Sequence, residues 1–546
     1  RMTLAPLQLL MGHQALGADP TANAWLSASA GTGKTQVLTA RVLRLLLAGN
    51  DPGAILCLTF TKAGASEMAR RIRERLALWV QMSEQQLARD LRFIHVEDAE
   101  DPTVRRYART LFARVIDAPG RGLAIQTIHS FCQSLLSSFP DEAGLAPGFR
   151  AMEDREMALL REDVLARLID DAPGAGEGWF LDALGSMALR LSEGGAISYL
   201  HRCIPAHATL ASLPQDVSAW LRARLALPAG DPARWLEAQC ADDVIDQAGW
   251  LAIAAANASW GTKTGLNRAD AIAAWLALAP PQRAAQLDLL LETVQKKDGG
   301  LRSDYTSGKA LGEVADLAAR QVAALGGAQA DHRQMHASDE MAECLTAGRH
   351  FSLAYAARKR RDGLVDYDDL IARTVALIAG EGRSEWIRYK LDARIDHILV
   401  DEAQDTNEAQ WAIIRALSEE YFAGDGTADE VLRTLFVVGD YKQAIYGFQG
   451  TNPEHFAQSR HDFGALGDAA QRPFADLSID TNFRSSAPVL RVVDRVIAAI
   501  GPAQMGLDVD AVRHTAHAAD APGRVVLWPL QVAGDAARPS DGAGEG

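Results

Sequence analysis

Ala24-Trp-Leu-Ser-Ala-Ser-Ala-Gly-Thr-Gly-Lys-Thr35 is the stretch that decides the fold. A short apolar run leads into a loop of small residues, and Gly-Lys-Thr then opens a helical pattern over residues 36–47. Backbone N–H groups of such a loop, backed by a helix N-terminus, can surround a triphosphate. Gly31 and Gly33 let the backbone approach without a Cβ in the way. Lys34 is placed to neutralise the β- and γ-phosphates, and Thr35 to ligate Mg²⁺. The segment Ala28, Ser29, Ala30, Gly31, Thr32, Gly33, Lys34, Thr35 departs from the strict pattern in one place: Ala28 stands where the first glycine is expected.

Such a loop needs an acidic partner, and residues 395–405 supply one: Ile-Asp-His-Ile-Leu-Val-Asp-Glu-Ala-Gln-Asp. An apolar strand ending in Asp-Glu puts two carboxylates at the edge where open α/β sheets bind ligands. Asp401 is read as the Mg²⁺ holder, through water, and Glu402 as the group that polarises an attacking water. Alone, Asp-Glu after a strand also serves as a helix cap. Paired with the loop around Lys34, the hydrolytic reading is favoured.

Outward from these two segments, candidate strands fall at residues 24–29, 55–60, 124–128, 398–400 and 435–438. Their apolar runs lack polar alternation, as expected of parallel strands covered on both faces. Strand–helix alternation implies a doubly wound α/β sheet. Between about residues 140 and 366 the chain becomes rich in Ala and Leu at helical spacing, without a fixed-period repeat. The expected organisation is a sheet domain in two parts, 1–140 and 366–485, around an inserted helical domain, 141–365. Residues 486–546 are expected to begin a further domain and to end in a disordered tail over 532–546, which has little to bury.

Composition bounds the rest. The chain has 546 residues, 48% hydrophobic and 23% charged, with net charge −15. It has no apolar run long enough to span a membrane and no signal-peptide pattern, so the expected location is cytoplasmic. Five cysteines without a C-x-x-C pair argue against a disulfide framework or zinc site. The acidic total does not suggest a nucleic-acid binder. Residues 1–80 nonetheless carry nine Lys/Arg against four Asp/Glu, and local field outweighs the sum. Solvated helix faces explain that charge equally well.

With these boxes in order, the chain resembles the superfamily 1 helicases of the UvrD/Rep/RecB kind. Val400-Asp-Glu-Ala-Gln-Asp-Thr406 is similar to their DExQDT box. Ile55-Leu-Cys-Leu-Thr-Phe-Thr-Lys62 resembles motif Ia and Gln126-Thr-Ile-His-Ser-Phe131 motif Ib. Val437-Val-Gly-Asp-Tyr-Lys-Gln-Ala-Ile-Tyr-Gly-Phe-Gln-Gly450 resembles motif III, and Asp480-Thr-Asn-Phe-Arg-Ser485 motif IV. Phe448-Gln-Gly, where simple UvrD-type motors usually carry Trp-Arg-Gly, points to the AddA branch, the helicase–nuclease components of AddAB repair complexes.

The resemblance implies a RecA-like P-loop NTPase sheet with a truncated second RecA-like domain. Motifs V and VI and a nuclease signature are not found, so the likeness covers about the first half of a full AddA. It implies ATP and Mg²⁺ as cofactors, Gln14 at the adenine edge, Phe483 on the adenine, Arg484 at the γ-phosphate, and Gln443 linking phosphate state to DNA. Gln36 stands where UvrD-type motors often place Arg, so that helper contact is not expected. Implied DNA contacts are Thr59, Phe60, His129, Tyr446 and Phe448, since aromatic faces suit stacking on bases; Phe60 and Tyr446 fit a core equally well. The expected activity is 3′-to-5′ ATP-dependent DNA unwinding in double-strand-break repair and recombination. Expected partners are single-stranded and duplex-end DNA and an AddB-like protein, with no membrane. Open alternatives are a UvrD/Rep-type helicase without nuclease and a nucleotide-gated single-stranded-DNA-binding module. By itself the chain is expected to hydrolyse ATP poorly for want of a motif VI arginine. Asp366-Tyr-Asp-Asp369 is read as a helix start, and Arg358-Lys-Arg-Arg361 as either a DNA contact or a solvated face.

Overall fold

In the computed structural model the described residues are 7–29, 31–117, 122–296, 300–302, 311–379, 386–387, 390–391, 395–422, 432–443, 451–505 and 513–528. The chain divides into two compact units, one of residues 1–151 with 365–546 and one of residues 152–364.

The first unit is built on six parallel strands: β1 (Asn23–Ala28), β2 (Ile55–Thr59), β3 (Ala124–Thr127), β4 (His397–Val400), β5 (Thr434–Gly439) and β6 (Phe474–Ile479). Their spatial order is β3-β2-β4-β5-β1-β6. The unbroken apolar runs have a direct explanation, because strand side chains alternate between faces. Ala24, Leu26, Ile55, Cys57, Leu399, Phe436 and Val438 join one buried core. Trp25, Leu56, Leu58, Ile398, Val400, Leu435 and Val437 join the other. The first core is closed by helices including Lys34–Leu47, Lys62–Gln81 and Pro102–Ile116. The second is closed by Ile128–Ser138, Tyr367–Ala379, Glu408–Ser418 and Pro453–Ala469. Trp25 stacks on Trp411 with ring centroids 5.6 Å apart and lies 5.0 Å from Phe456. The doubly wound α/β expectation is met.

Each of the five expected strands is present, and β6 is an addition. Its sequence, Phe-Ala-Asp-Leu-Ser-Ile, alternates between covered and open positions because it lies at the sheet edge. An apolar-run criterion passes over such a strand.

The N-terminal ends of the strands hold a buried polar layer. Arg41 is fully buried, donates to the carbonyls of Gly17 (3.0 Å) and Ala22 and to Thr434 Oγ1 (3.3 Å), and lies over the Phe436 ring. Burial lowers its pKa to about 9. His397 Nδ1 meets the same Thr434 hydroxyl at 2.8 Å, and burial holds this imidazole down at about 4, so it is neutral near pH 7.

The second unit is helical. Its longest element, Gly327–Asp362, runs 36 residues, and the surrounding core centres on Trp250, Ile253, Trp275 and Leu290. In the Arg358–Arg361 run, Arg358 and Lys359 are engaged within this unit, and Arg360 and Arg361 are exposed. Arg358 pairs with Asp362 (2.5 Å) and Asp163 (2.8 Å), and Lys359 is buried over the Tyr355 ring. In the first unit, Asp366 and Asp369 exchange side-chain-to-backbone bonds at the start of Tyr367–Ala379, a reciprocal cap. Among the described residues no helix is long and apolar enough to cross a membrane. The expected tail, 532–546, lies outside the described residues.

Candidate nucleotide site

The loop of residues 28–35 leaves the C-terminal end of β1, between β5 and β6. Ala28 is still strand, paired in register with Ile479 and 2% exposed, so its Cβ sits in ordinary extended backbone. That is why alanine serves at this position. Gly31 (φ +79°) and Gly33 (φ +91°) adopt conformations that L side chains avoid. A Cβ on Gly31 would stand 2.6 Å from Arg484 Cβ and 3.1 Å from Asn482 Oδ1. The Gly31 carbonyl also accepts from Phe483 N at 2.8 Å, so the loop and the 482–484 turn are in direct contact. Thr32 is fully buried and its hydroxyl donates to Ser29 O at 2.7 Å, which fixes the loop's curvature. Gly33 caps the helix that begins with Lys34 and half-buried Thr35. Ala30 lies outside the described residues.

The acidic edge follows β4, two strands away. Lys34 Nζ reaches Glu402 Oε2 at 3.1 Å and so joins two segments that lie 368 residues apart in sequence. Glu402 takes a left-handed backbone (φ +50°). A non-glycine residue held there stores about 1 kcal/mol or more and is commonest at functional sites. Its N–H donates to Asp401 Oδ1 at 3.0 Å. Burial, then the adjacent Glu402 charge, raises the Asp401 carboxyl to about 6, with Lys34 opposing. Asp405 is raised to about 6 by the same two causes, and its Oδ1 is buried without a hydrogen-bond partner. Among the described residues no three His, Cys, Asp or Glu side chains converge as a self-sufficient metal site. Mg²⁺ in nucleotide sites takes one or two carboxylates and completes its shell with phosphates and water. Thr35 and an electrostatically strained Asp401 fit that donor set.

A chain of bonds links this edge to the residues after β5. Gln404 Nε2 donates to Glu402 Oε2 (2.8 Å), Gln404 Oε1 accepts from Asp440 N (2.8 Å), and Gln443 Nε2 donates to Asp440 Oδ2 (2.5 Å). Gln404 and Asp440 had no role from the sequence, although both stand inside the boxes quoted above. Asn482 was passed over too: its Oδ1 accepts from Arg484 N (2.8 Å) and Ser485 N (2.7 Å), shaping the turn against Gly31.

Beside the loop is a cleft of about 1060 Å³ lined by Gln14, Phe93, Asp480 and Phe483, among others. Phe483 is 40% exposed and lies against His517, ring centroids 4.5 Å apart. Arg484 is exposed next to it. Gln14 is buried; its Nε2 donates to Thr32 O at 3.1 Å and its Oε1 accepts from Met11 N at 3.4 Å, so it braces the loop from below. Gln36 donates to Gln8 O at 2.6 Å, tying the helix to the cleft wall.

The expected DNA contacts are placed unevenly. Thr59 is 1% exposed and its hydroxyl donates to Thr61 O at 3.0 Å, so its side chain shapes the turn after β2. Phe60, the next residue, is half-buried. His129 sits half-buried in the first turn of Ile128–Ser138, edge-on to Tyr367 at 5.1 Å, and burial lowers its pKa. Tyr446 and Phe448 lie outside the described residues.

Comparison with known proteins matches the UvrD/REP helicase N-terminal domain to residues 13–188 and 265–464, more than half of the chain. The intervening stretch falls within the helical unit. Among curated relatives, an ATP-dependent helicase/nuclease component from Geobacillus thermodenitrificans is 28% identical over 538 residues, covering 91% of this chain and 40% of the relative. The protein of the same name from Lactiplantibacillus plantarum is 25% identical over 534 residues, with the same coverage. That of Enterococcus faecalis is 27% identical over 531 residues, 89% of this chain and 38% of the relative. The chain therefore spans about two fifths of the length of these relatives.

Proposed function

Because the chain belongs to the UvrD/REP helicase N-terminal domain family, we propose that it is the nucleotide-binding part of an ATP-dependent DNA helicase of the AddA type. The observation that carries the reading is the Lys34–Glu402 contact, which brings phosphate loop and acidic edge together. In this reading Lys34 faces the β- and γ-phosphates, and Thr35 and Asp401 would hold Mg²⁺. When bound, the metal supplies positive charge to the phosphates. Glu402 orients the attacking water, held in place by its left-handed backbone and by Gln404. Arg484 serves the γ-phosphate, where an always-charged fork suits developing negative charge. Phe483 offers a face to the adenine in the adjoining cleft. Gln443, tied through Asp440 and Gln404 to Glu402, carries phosphate state toward DNA.

The likeness to helicase/nuclease proteins supports the further elements of the proposal: 3′-to-5′ movement on single-stranded DNA from a duplex end, double-strand-break repair and recombination, an AddB-like partner, and a cytoplasmic location. His129 and Phe60 are the proposed DNA contacts among the described residues.

Calorimetric titration with Mg²⁺ and a non-hydrolysable ATP analogue tests the core assignment. Lys34→Ala is expected to weaken binding about 100-fold or more, since the main cation at the phosphates is lost. Glu402→Gln is expected to bind within a few-fold of the parent while losing turnover. Equal loss in both variants would overturn the division of roles.

A further inference from the structure

In the sheet, β5 lies between β4, which carries the acidic edge, and β1, which carries the phosphate loop. Residues just past its C-terminal end can therefore reach both. Gln443 and Asp440 face the acidic edge through Gln404. Lys442 takes the opposite direction: its Nζ donates to Ser29 Oγ, inside the phosphate loop, at 2.6 Å. The same ammonium lies 3.4 Å from His514 Nε2, and His514 Nδ1 lies 2.5 Å from Asp494 Oδ1. The His514 side chain is 8% exposed, and its backbone N–H also donates to Asp494, at 3.2 Å. These contacts assign the tautomer. Asp494 accepts a hydrogen bond from Nδ1–H, which leaves the Nε2 lone pair to accept from Lys442. The lysine is thus held at the loop from two sides, by a loop hydroxyl and by an imidazole that a carboxylate has oriented.

We propose that Lys442 is a second phosphate-binding lysine of this site, set by His514 and Asp494 to read the terminal phosphate of a bound nucleoside triphosphate. The proposal rests on the nucleotide reading above and adds a specificity to it. Lys34 serves every phosphate chain in the loop, and Lys442 separates triphosphate from diphosphate. The physical ground is placement: a pinned ammonium beside an oxyanion forms a strong charge-assisted bond at little reorganisation cost. His514 and Asp494 are positioning residues in this scheme and touch no nucleotide.

The test compares dissociation constants for ADP and for slowly hydrolysed ATPγS, each with Mg²⁺, in the parent chain and its variants. Lys442→Ala is expected to weaken ATPγS about tenfold and to leave ADP within about twofold. Lys442→Arg, which keeps the charge, should retain most of the preference for ATPγS. Asp494→Asn leaves the loop untouched and should lower that preference about threefold by loosening His514. Equal weakening of both nucleotides by Lys442→Ala would make Lys442 a brace for Ser29 only and overturn the proposal. Should Lys442→Ala fail to fold, an unchanged ATPγS-to-ADP ratio in Asp494→Asn overturns it as well. Lys34→Ala separates the two levels: it should lose both nucleotides. A parent chain that binds neither would refute the nucleotide reading itself, and this inference with it.

Discussion

The two ends of the same sheet bury polar groups in opposite ways. At the N-terminal ends of the strands, Arg41 donates through its terminal nitrogens to two backbone carbonyls and a threonine, and His397 is neutral. Arg41 Nε and His397 Nε2 are buried without a hydrogen-bond partner. At the C-terminal ends, Asp401 and Asp405 crowd against Glu402, and Lys34 offsets their repulsion only in part. One layer holds a single cation bonded to neutral groups. The other is left short of positive charge, and its backbone is strained at Glu402. Burial of polar side chains therefore does not mark a site; crowding of like charges does.

Breaking the Arg41 layer should give the largest effect. Arg41→Met keeps most of the volume but strands the Gly17 and Ala22 carbonyls. It is expected to lower unfolding free energy by about 3 kcal/mol, with nucleotide affinity unchanged for the chains that remain folded. Urea unfolding measures the first and titration the second; a nucleotide defect without a stability defect would erase the contrast.

The incomplete layer should behave with the opposite sign. Asp401 has a folded pKa near 6 against an ordinary value of 3.8. Between those values the unfolded chain ionises first, so without metal the folded chain loses stability as pH rises from about 4 to 6 and then levels off. Asp401→Asn should remove much of that fall, raising metal-free stability at pH 7.5 by about 1–2 kcal/mol while abolishing Mg²⁺-dependent binding. The measurement is unfolding in EDTA from pH 4.5 to 7.5. A variant with the parent's pH slope would place the strain elsewhere.

The smallest expected effect sharpens the comparison at its margin. Phe483→Ala should weaken ATP about three- to tenfold through loss of a stacking face. Inorganic triphosphate, which has no base, should bind as before. If both weaken alike, Phe483 acts through the Gly31 turn instead.

How much of this was legible in the sequence follows the same division. Strands β1, β2, β4 and β5 announce themselves because both faces are covered, and the phosphate loop and acidic edge because glycine, lysine and carboxylate have few alternatives at those spacings. The edge strand β6 was not legible, since Asp476 and Ser478 are exposed and interrupt its apolar run. Nor was the role of Arg41, because its partners are carbonyls from a helix end and the bend before β1, and no residue type in the sequence marks those. The inward turn of the Thr59 side chain was not legible, because a box position says nothing of which way a side chain turns. Gln404, Asp440 and Lys442 stood in plain view, but their connections run between strands brought together only by the sheet order.

That order also governs how the chain can be made. Strand β1 has only β5 and β6 as neighbours, and both are encoded more than four hundred residues downstream. At ordinary synthesis rates the phosphate loop's strand must wait roughly 20–80 s for its first partner. During that time Trp25 and Leu26 have no sheet to enter. The helical unit, whose sequence is continuous, can fold meanwhile. A growing chain is thus most exposed to aggregation around the very segment proposed to hold the nucleotide, and chaperone dependence should be sought there.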